Sequence, residues 1–593
     1  MSASFFPTGT PTGYTYLEEY LHWLAIPHAV VAKYVSPDPA TFVDIDLRKF
    51  TSGFALTATY STSNSVNGIA VIQAYGHTAR FTPTAGATGR GKFSFTVNDG
   101  DSWTQNCGVV ITASGLPRDL SWKGDSAANN WDTTTSNWRK TDGTSTAFSG
   151  GDTALFDNRG ISAVAVNLTG AFAPSSVTVN STQSYIFSGV ESLSGAMPLT
   201  KSGSGTLTVS MTNTFTGGTT INEGTLITNN VGGLGTGKVT LGGSTLSFTS
   251  AANQTFANAV AVTAPSAITT TNNTTFGGAF SGAGNLSLSG PLLTPTNTWV
   301  GLTGTVTVST GTLRFNQGGN PWGAANASFN AGTSGTIKNR SIVATQTINL
   351  GALSGGASSF LVGSDQTGSG AGVDTYLIGA LNIDSTFFGT IQNGGLHTTA
   401  INKTGAGALL LGGTSSYTGN TTVSNGSLVV SGSLGNTSVP VASPAVLAGS
   451  GTIAGPVTFS DGSFASPATD AFTGGILHLS NNLTLGAATV YCDLYGSPNP
   501  PKVNDSIALN GGSLTFTAAP YFQFLLLDGA LAAGNYDLIT GAGSLSTPAG
   551  FTGTFANNLP SGSRQTFTVK RSSTGAGVAK VWLEVLGDPG VLT

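Results

Sequence analysis

The sequence predicts an all-β protein in which a right-handed parallel β-solenoid follows a small β-sandwich and one short helix. Apolar residues alternate with polar ones in short bursts, as at residues 206–209 and 305–308, which is the period-two pattern of half-buried strands. Glycine supplies 83 of the 593 residues and separates these bursts, and glycine and β-branched residues both disfavour long helices. One sequence pattern also returns at residues 199–226 and 401–428. Such internal repetition is typical of a solenoid, in which each repeat stacks on its neighbour.

Composition argues against several classes of function. Charged residues make up 8 % of the chain, the net charge is −4, and the 22 Lys and Arg are scattered, which argues against nucleic-acid binding. No apolar run approaches the roughly 18 residues of a membrane-spanning helix. Cys107 and Cys492 lie in different predicted domains, so we expect neither a disulfide nor a metal site from them. The first residues have neither the basic start nor the apolar core of a signal peptide.

The first predicted segment is residues 1–29, with an amphipathic helix over residues 14–25. Thr15 and Glu18 have the spacing of a capping box. The string Gly-Tyr-Thr-x-Leu-Glu-Glu-Tyr-Leu resembles the C-terminal helix of bacterial secreted polysaccharide lyases of the pectate-lyase type, and also the second half of an EF-hand-like calcium repeat. The calcium alternative places threonines where Asp or Asn ligands are needed, at Thr8, Thr10 and Thr12. We therefore favour a plain structural helix.

Residues 30–116 are predicted to form the sandwich. The motifs Phe-Thr-Pro at residues 81–83 and Phe-x-Phe-Thr-Val-x-Asp-Gly at residues 93–100 resemble bacterial Ig-like or cadherin-like modules, which implies a two-sheet domain of about this length. Cadherin-like modules bind calcium through carboxylates. The acidic residues that this resemblance offers as calcium ligands are Asp44, Asp46, Asp99 and Asp101. Acidic turn residues are commoner than metal ligands, so the first expectation is no cofactor and calcium is the alternative.

Residues 117–198 are predicted to contain a cap and the first rungs. Three tryptophan motifs, followed by Gly-Asp-x-x-x-Phe, resemble the stretch that precedes solenoid repeats in secreted bacterial proteins. A cap is physically required because an open solenoid end exposes apolar side chains and unpaired backbone groups. An alternative is a sugar-stacking platform, for which the candidate residues are Trp122, Trp131 and Trp138. The cap is favoured because aromatic plugs bury well.

The repeats at residues 199–226 and 401–428, with a weaker copy over 281–313, follow the pattern L-x-K-x-G-x-G-T-L, then Y/F-T-G-x-T and G-T/S-L. They resemble the autotransporter-associated β-strand repeat of passenger regions. The resemblance implies a solenoid over residues 199–490 of a protein that is secreted or lies at the bacterial cell surface. The related pattern extends over some 370 residues, from about residue 120 to about residue 490, so roughly 15 rungs of about 20–25 residues are expected, with Leu, Val and Ile stacked inside and Gly or Asn at the turns.

Residues 491–593 are predicted to be a C-terminal β-cap, and no catalytic centre is expected anywhere in the chain. Two of the five histidines, His22 and His28, lie on or near the first predicted helix, the other three are far apart in sequence, and none lies in a recognised metal or nucleophile motif. The favoured function is a non-catalytic structural or adhesive solenoid that contacts polysaccharide, cells or copies of itself. The alternative is a C-terminal carbohydrate-binding or targeting appendage of a secreted pectate-lyase-like enzyme.

Overall fold

The structure is a computed structural model that divides into two compact units, described here one at a time. It describes residues 28–29, 32–35, 42–84, 89–100, 102–111, 117–316, 322–340, 345–365, 371–468, 473–496, 503–549, 551, 555–559 and 565–587. Unit 1 contains residues 1–219 and 232–236, and unit 2 contains residues 220–231 and 237–593. The predicted helix over residues 14–25 lies outside the described residues.

Unit 1 begins with a β-sandwich. Its strands are β1 (His28–Ala29), β2 (Ala32–Val35), β3 (Val43–Asp46), β4 (Thr51–Ser52), β5 (Thr59–Val66), β6 (Gly68–Ile72), β7 (Thr78–Pro83), β8 (Gly89–Asn98) and β9 (Ser102–Ile111). One sheet has the order β2-β9-β8-β5, a second has the order β3-β7-β6, and β1 pairs with β4. The 3₁₀ helix Leu47–Phe50 follows β3. Alternate residues of both larger sheets meet in one core, where the rings of Phe81 and Phe93 stack with centroids 6.0 Å apart.

The second part of unit 1 is a short run of solenoid rungs. Its strands are β10 (Asp119–Trp122), β11 (Asn130–Trp131), β12 (Trp138–Arg139), β13 (Ser145–Thr146), β14 (Thr153–Phe156), β15 (Val166–Leu168), β16 (Ser176–Asn180), β17 (Tyr185–Gly189), β18 (Leu199–Ser202) and β19 (Thr206–Val209). Strands β10, β14, β16 and β18 pair in parallel on one face. Strands β11, β15, β17 and β19 do so on another. The short antiparallel strands β12 and β13 extend the first face beyond β10.

The chain continues through long and short strands of the solenoid. They are β20 (Thr219–Ile221), β21 (Thr225–Thr228), β22 (Val239–Gly242), β23 (Thr245–Phe248), β24 (Gln254–Phe256), β25 (Val260–Ala264), β26 (Ser266–Thr270), β27 (Thr274–Phe276), β28 (Phe280–Gly282), β29 (Leu286–Pro295), β30 (Gly301–Leu302), β31 (Thr305–Phe315), β32 (Trp322–Asn330), β33 (Thr336–Asn339), β34 (Thr345–Ser354), β35 (Phe360–Val362) and β36 (Gly372–Ile378). A second 3₁₀ helix spans Val231–Leu234.

The remaining strands belong to unit 2. They are β37 (Ser385–Phe387), β38 (Thr390–Gln392), β39 (His397–Lys403), β40 (Ala408–Leu411), β41 (Thr421–Val423), β42 (Ser427–Val430), β43 (Ser433–Leu434), β44 (Val439–Val441), β45 (Val446–Ala448), β46 (Thr452–Ile453), β47 (Val457–Phe459), β48 (Phe464–Ser466), β49 (Ile476–Leu479), β50 (Leu483–Leu485), β51 (Thr489–Leu494), β52 (Ser506–Leu509), β53 (Ser513–Phe516), β54 (Tyr521–Leu526), β55 (Gly534–Ser546), β56 (Thr566–Arg571) and β57 (Gly575–Leu586). Seven of them form a separate parallel sheet in the order β37-β40-β42-β45-β48-β51-β54, hereafter the seven-stranded sheet.

Stacked aliphatic columns form the interior of unit 2. Leu226 pairs with Leu246, and the column continues through Ile268, Leu288 and Val308. All five side chains are buried. Successive partners are 20 or 22 residues apart, so equivalent positions recur at nearly constant spacing and similar side chains stack along the strand-pairing direction. The predicted all-β fold, with a parallel solenoid and a sandwich, is confirmed.

Parallel pairing extends beyond residue 490, where the sequence analysis placed the start of the C-terminal cap. Strand β51 pairs in parallel with β54, and β52 and β53 both pair in parallel with β55. Antiparallel pairing then takes over, because β57 lies against both β55 and β56. Within the part of the chain that the structure describes, no helix has the length and apolarity needed to cross a membrane.

Candidate functional site

The first two predicted calcium ligands bind basic side chains. Asp44 forms a two-pronged ion pair with Arg80, at 2.7 Å from Nε to Oδ1 and 2.6 Å from Nη2 to Oδ2. Asp46 accepts hydrogen bonds from the backbone N–H and the guanidinium of Arg48, and its Oδ1 lies 3.2 Å from His77 Nδ1. The side-chain hydrogen bond from Arg48 holds the pKa of Asp46 below its ordinary value. These pairings neutralise the carboxylates that were expected to attract calcium.

The other two predicted ligands do not complete a metal centre with them. Asp99 Oδ2 accepts a hydrogen bond of 2.7 Å from the backbone N–H of Ala55. Asp101 lies outside the described residues. Among the described residues, no three His, Cys, Asp or Glu side chains lie close enough together to hold a metal ion. Calcium binding therefore stays a prediction without a site assembled from described residues.

The three predicted sugar-stacking tryptophans lie in the interior of unit 1. Trp122, Trp131 and Trp138 are each 0 % exposed. Trp138 meets Trp131 and Trp122 edge to face, with ring centroids 5.0 and 5.1 Å away. The rings of Phe156 and Phe187 pack against this cluster, hereafter the aromatic plug. Sugar stacking requires an exposed ring face, and none of the three indoles has one, so this structure does not support them as carbohydrate contacts.

A buried ion pair next to the aromatic plug was not found from the sequence. Arg118 and Asp152 have side chains only 6 % and 2 % exposed, and Arg118 Nη2 lies 2.5 Å from Asp152 Oδ2. Burial raises the pKa of Asp152, while the hydrogen bonds from Arg118 oppose that shift. The pair connects the residue before β10 with the residue before β14, so it stabilises the first rungs. The sequence analysis noted the Gly-Asp motif but could not place Arg118 beside it.

The lysine of each strong repeat points into the solenoid. Lys403 is 1 % exposed, and its Nζ donates to the carbonyls of Thr404, Gly405 and Asn425 at 2.7, 2.8 and 3.0 Å. In unit 1, Lys201 is 0 % exposed and donates to the carbonyls of the two residues that follow it. Burial lowers the pKa of Lys403 to about 8. The lysine of the L-x-K-x-G pattern therefore binds the turn that follows it.

One buried histidine contacts a carboxylate. His397 Nδ1 lies 3.1 Å from Asp374 Oδ1, and both side chains are 0 % exposed. The same carboxylate accepts hydrogen bonds from Asn339 Nδ2 at 2.9 Å and from the backbone N–H of Ser364 at 2.5 Å. A histidine held by a carboxylate is the chemistry of a general base, but a substrate must reach the imidazole. In this conformation the imidazole is sealed from solvent, so the arrangement is structural.

The outer surface of the seven-stranded sheet carries exposed aromatic and aliphatic residues. Phe464 and Tyr491 stack with ring centroids 5.9 Å apart and an angle of 20° between their planes. Strand register places Tyr521 beside Thr489, which itself pairs with Phe464. Tyr491 is 37 % exposed. We call the surface of Phe464, Tyr491 and Tyr521 the aromatic face. Rings that stack in parallel on a sheet can cover the apolar C–H face of a sugar ring, and the tyrosine hydroxyls can reach water or sugar hydroxyls.

A polar groove runs across five strands elsewhere in unit 2. Its volume is about 510 Å³. Small side chains line it in strand register, namely Thr225, Thr245, Ala267, Ser287 and Thr307. Adjacent strands are about 4.8 Å apart, so the groove presents hydroxyl groups on four of these five strands, and Ala267 interrupts the row. The Thr and Ser residues of these strands are visible in the sequence, whereas the concave shape of this surface follows only from the structure.

The sandwich contains a cleft of about 530 Å³. Phe54, Tyr60 and Tyr75 line it together with Arg48 and other residues. The Arg48 guanidinium binds Asp46, and the Tyr60 hydroxyl lies 2.9 Å from Thr51 Oγ1. These two polar groups of the lining already bind neighbouring protein atoms, so the cleft is a weaker candidate for ligand binding than the aromatic face.

Comparison with known families supports the two main resemblances. Residues 199–227 and 401–430 match the passenger-associated-transport-repeat model, and each matched segment contains one buried repeat lysine. Residues 26–112 match the bacterial Ig domain model. A comparison with curated proteins finds no match. The repeat and the Ig-like module are thereby confirmed, and they indicate an extracellular β-solenoid. The likeness of the first helix to a lyase helix stays a prediction.

Proposed function

We propose that this chain is a non-catalytic extracellular solenoid that contacts polysaccharide, with the aromatic face as its principal contact surface. The observation that carries the proposal is the stack of the half-buried Phe464 and the exposed Tyr491 on the outer surface of the seven-stranded parallel sheet. Aromatic residues that lie side by side at outward positions are unusual in a chain whose outward positions are mostly Thr, Ser and Gly.

The proposed contact uses two kinds of interaction. The ring faces of Phe464 and Tyr491 remove the apolar side of a sugar ring from water, and burial of apolar area is the main favourable term in such contacts. Polar side chains next to the rings supply hydrogen bonds to sugar hydroxyls. Gln523 is suitably placed because it is exposed and is the strand partner of Tyr491. The polar groove offers a second surface of hydroxyl groups for the same class of ligand.

The non-catalytic part of the proposal has two supports. The buried contact between His397 and Asp374 is sealed from solvent. The passenger-type repeats are consistent with a non-enzymatic role. The regular strand spacing suits a structure that presents the same surface chemistry many times, as a stalk or an adhesive surface does.

A binding screen of the full chain tests the proposal. Purified protein is incubated with insoluble cellulose, pectin and chitin, with and without calcium, and the supernatant is assayed for unsaturated sugar products. We expect saturable binding to at least one polymer without product release. The variant Tyr491→Ala should weaken that binding about tenfold, which corresponds to about 1.4 kcal/mol. The control Ile186→Ala removes an apolar side chain that is 43 % exposed in the first rungs of unit 1, away from the candidate surfaces, and it should bind like the wild type.

Two results would contradict this proposal. Release of unsaturated product would show that the chain is catalytic. Equal binding by the wild type and Tyr491→Ala would remove the aromatic face as the contact surface.

A further inference from the structure

A cluster of basic residues follows the longest uncharged part of the solenoid sequence. None of residues 239–313 is charged, and the whole chain has only 22 Lys and Arg. Arg314 then lies in β31, Lys338 lies in the neighbouring strand β33, and Arg340 directly follows β33; we call these three residues the cation stack. Charge is so sparse in this region that the cluster requires an explanation.

The parallel register places two of these cations side by side. Arg314 and Lys338 are direct partners in the pairing of β31 with β33. Their strand neighbours Leu313, Phe315 and Ile337 are buried, so Arg314 and Lys338 point to the outer surface. Adjacent strands are about 4.8 Å apart, and like charges at directly paired positions destabilise a sheet. A stable sheet would be easier to build with one of these residues uncharged.

The protein neutralises only part of this charge. Lys338 Nζ lies 2.6 Å from Asp365 Oδ2. Arg314 Nη2 lies 3.4 Å from Thr294 Oγ1, and its Nε–H has no hydrogen-bond partner among the described residues. Burial and the nearby Arg340 both lower the pKa of Arg314, as expected for two guanidinium groups that repel each other. Arg314 and Lys338 thus share one carboxylate, that of Asp365, which leaves an excess of one positive charge at these two paired positions among the described residues.

We propose that the cation stack binds the carboxylate or sulfate groups of an acidic polysaccharide. This inference deepens the proposed function and rests on it for the class of polymer. Guanidinium groups bind carboxylate and sulfate oxygens through paired N–H donors, and lysine adds a point charge. Cations on adjacent strands can engage successive anions of one extended chain, which raises the affinity without any new kind of contact.

The charge of the whole chain favours a polysaccharide over a nucleic acid. The net charge is −4. Tight binding to a nucleic acid uses about 6–10 cation contacts to phosphates, and this cluster has three cations. An acidic polysaccharide is therefore better matched to an isolated group of this size, because successive anions along one extended chain can bind the cations of adjacent strands.

The test uses the full chain and four probes, namely polygalacturonate, dextran sulfate, neutral dextran and single-stranded DNA. Binding is measured by affinity electrophoresis or biolayer interferometry at low and moderate salt. We expect the wild type to bind at least one acidic polysaccharide and not neutral dextran. The double variant Arg314→Gln with Lys338→Gln should bind that polymer about tenfold more weakly and with a smaller salt dependence. The control Lys238→Gln changes an exposed lysine outside the stack and should behave like the wild type.

Folding is checked in the same experiment. The double variant should unfold at nearly the same urea midpoint as the wild type, because it relieves the repulsion between Arg314 and Lys338 but also removes the partly exposed ion pair of Lys338 with Asp365, and these two effects oppose each other. If it does not fold, Arg314→Lys provides a second test, since it keeps the charge but loses the paired donors and should bind several-fold more weakly.

The outcomes separate this inference from the proposed function. Equal binding of acidic polymer by the wild type and the folded double variant overturns the cation stack. So does stronger binding of single-stranded DNA than of both acidic polysaccharides. A third outcome is that the double variant loses binding of the acidic polymer while Tyr491→Ala affects binding of no polymer. This outcome supports anion binding by the cation stack and contradicts the aromatic face as a contact surface.

Discussion

The repeat lysine is the clearest case in which one residue of the sequence pattern acquires a physical role. A buried ammonium group is costly unless hydrogen bonds replace its water. Lys403 meets this condition with three backbone carbonyls, which are acceptors that a tight turn otherwise leaves without partners. Lys201 makes the corresponding bonds in unit 1. The lysine therefore stabilises the turn, as the glycine does.

Removal of this lysine should destabilise the solenoid locally. The variant Lys403→Met keeps an unbranched apolar stem but leaves the three carbonyls without this donor, and we expect a loss of about 2–4 kcal/mol. Hydrogen exchange of residues 403–426 and the urea midpoint of unfolding measure the effect. Lys238→Met replaces an exposed lysine and should change stability by less than about 0.5 kcal/mol. Equal effects of the two variants would show that the buried bonds contribute little.

The same lysine predicts a pH dependence of stability. Its pKa is about 8 in the folded protein, below the ordinary value of 10.5. Between these values the unfolded chain binds more protons than the folded one, so the contribution of Lys403 to stability rises with pH across this window. The free energy of unfolding of the wild type, relative to Lys403→Met, should increase from pH 8 to about pH 10. A relative decrease over that range would contradict the lowered pKa.

At the scale of the element, the residue that a turn position accepts depends on how closely the neighbouring strand approaches that position. Gly405 has a φ of 69°, and a Cβ atom there would lie 1.9 Å from the carbonyl oxygen of Gly379. Gly511 also has a positive φ, 81°, but a Cβ atom there would meet nothing within 4 Å. The two glycines share the backbone requirement and differ only in the approach of a neighbouring strand.

This difference gives a matched pair of variants. Gly511→Ala should cost about 1–2 kcal/mol, the strain of a left-handed conformation for a residue with a Cβ atom. Gly405→Ala should cost clearly more, because the carbonyl of the adjacent strand must also move. Urea unfolding of both variants measures the two costs. Similar midpoints would show that conformational strain alone decides the choice of glycine.

The aromatic plug is the element that covers the interior of the first rungs. Trp131→Ala should leave a large cavity and cost about 3–5 kcal/mol. Hydrogen exchange over residues 119–189 should become faster, while exchange over residues 401–428 stays unchanged, since rungs contact only their neighbours. Ile186→Ala, in the same rungs but 43 % exposed, is the control and should have little effect. Uniform acceleration over the whole chain would contradict local stacking.

At the scale of the whole molecule, stability and binding should respond differently to salt. Charged residues are 8 % of the chain, and stacked apolar columns such as the one that begins at Leu226 form the interior. Salt therefore screens few charge–charge interactions in the folded state. Raising NaCl from about 0.05 M to about 0.5 M should leave the thermal unfolding midpoint nearly unchanged, whereas binding of acidic polysaccharide should weaken strongly. A large shift of the midpoint would show that ion pairs contribute more than the composition suggests.

The sequence by itself determined the fold class, because the signals for it are local. Alternation of apolar and polar residues defines strands, glycine marks turns, and recurrence of the pattern means that each repeat stacks on one like itself. These signals were sufficient for the solenoid and, through the Phe-x-Phe-Thr-Val motif, for the Ig-like module. They did not require knowledge of which residues meet in space.

Tertiary contacts determine which side chains are buried and which lie side by side at the surface. Whether Trp131 is a plug or a platform depends on the direction of its side chain and on the rings that cover it. Whether Arg314 meets Lys338 depends on a strand register that joins positions 24 residues apart, and a shift of one residue would turn either side chain to the other face of the sheet. Sequence spacing alone does not contain that register, because turn lengths vary from rung to rung.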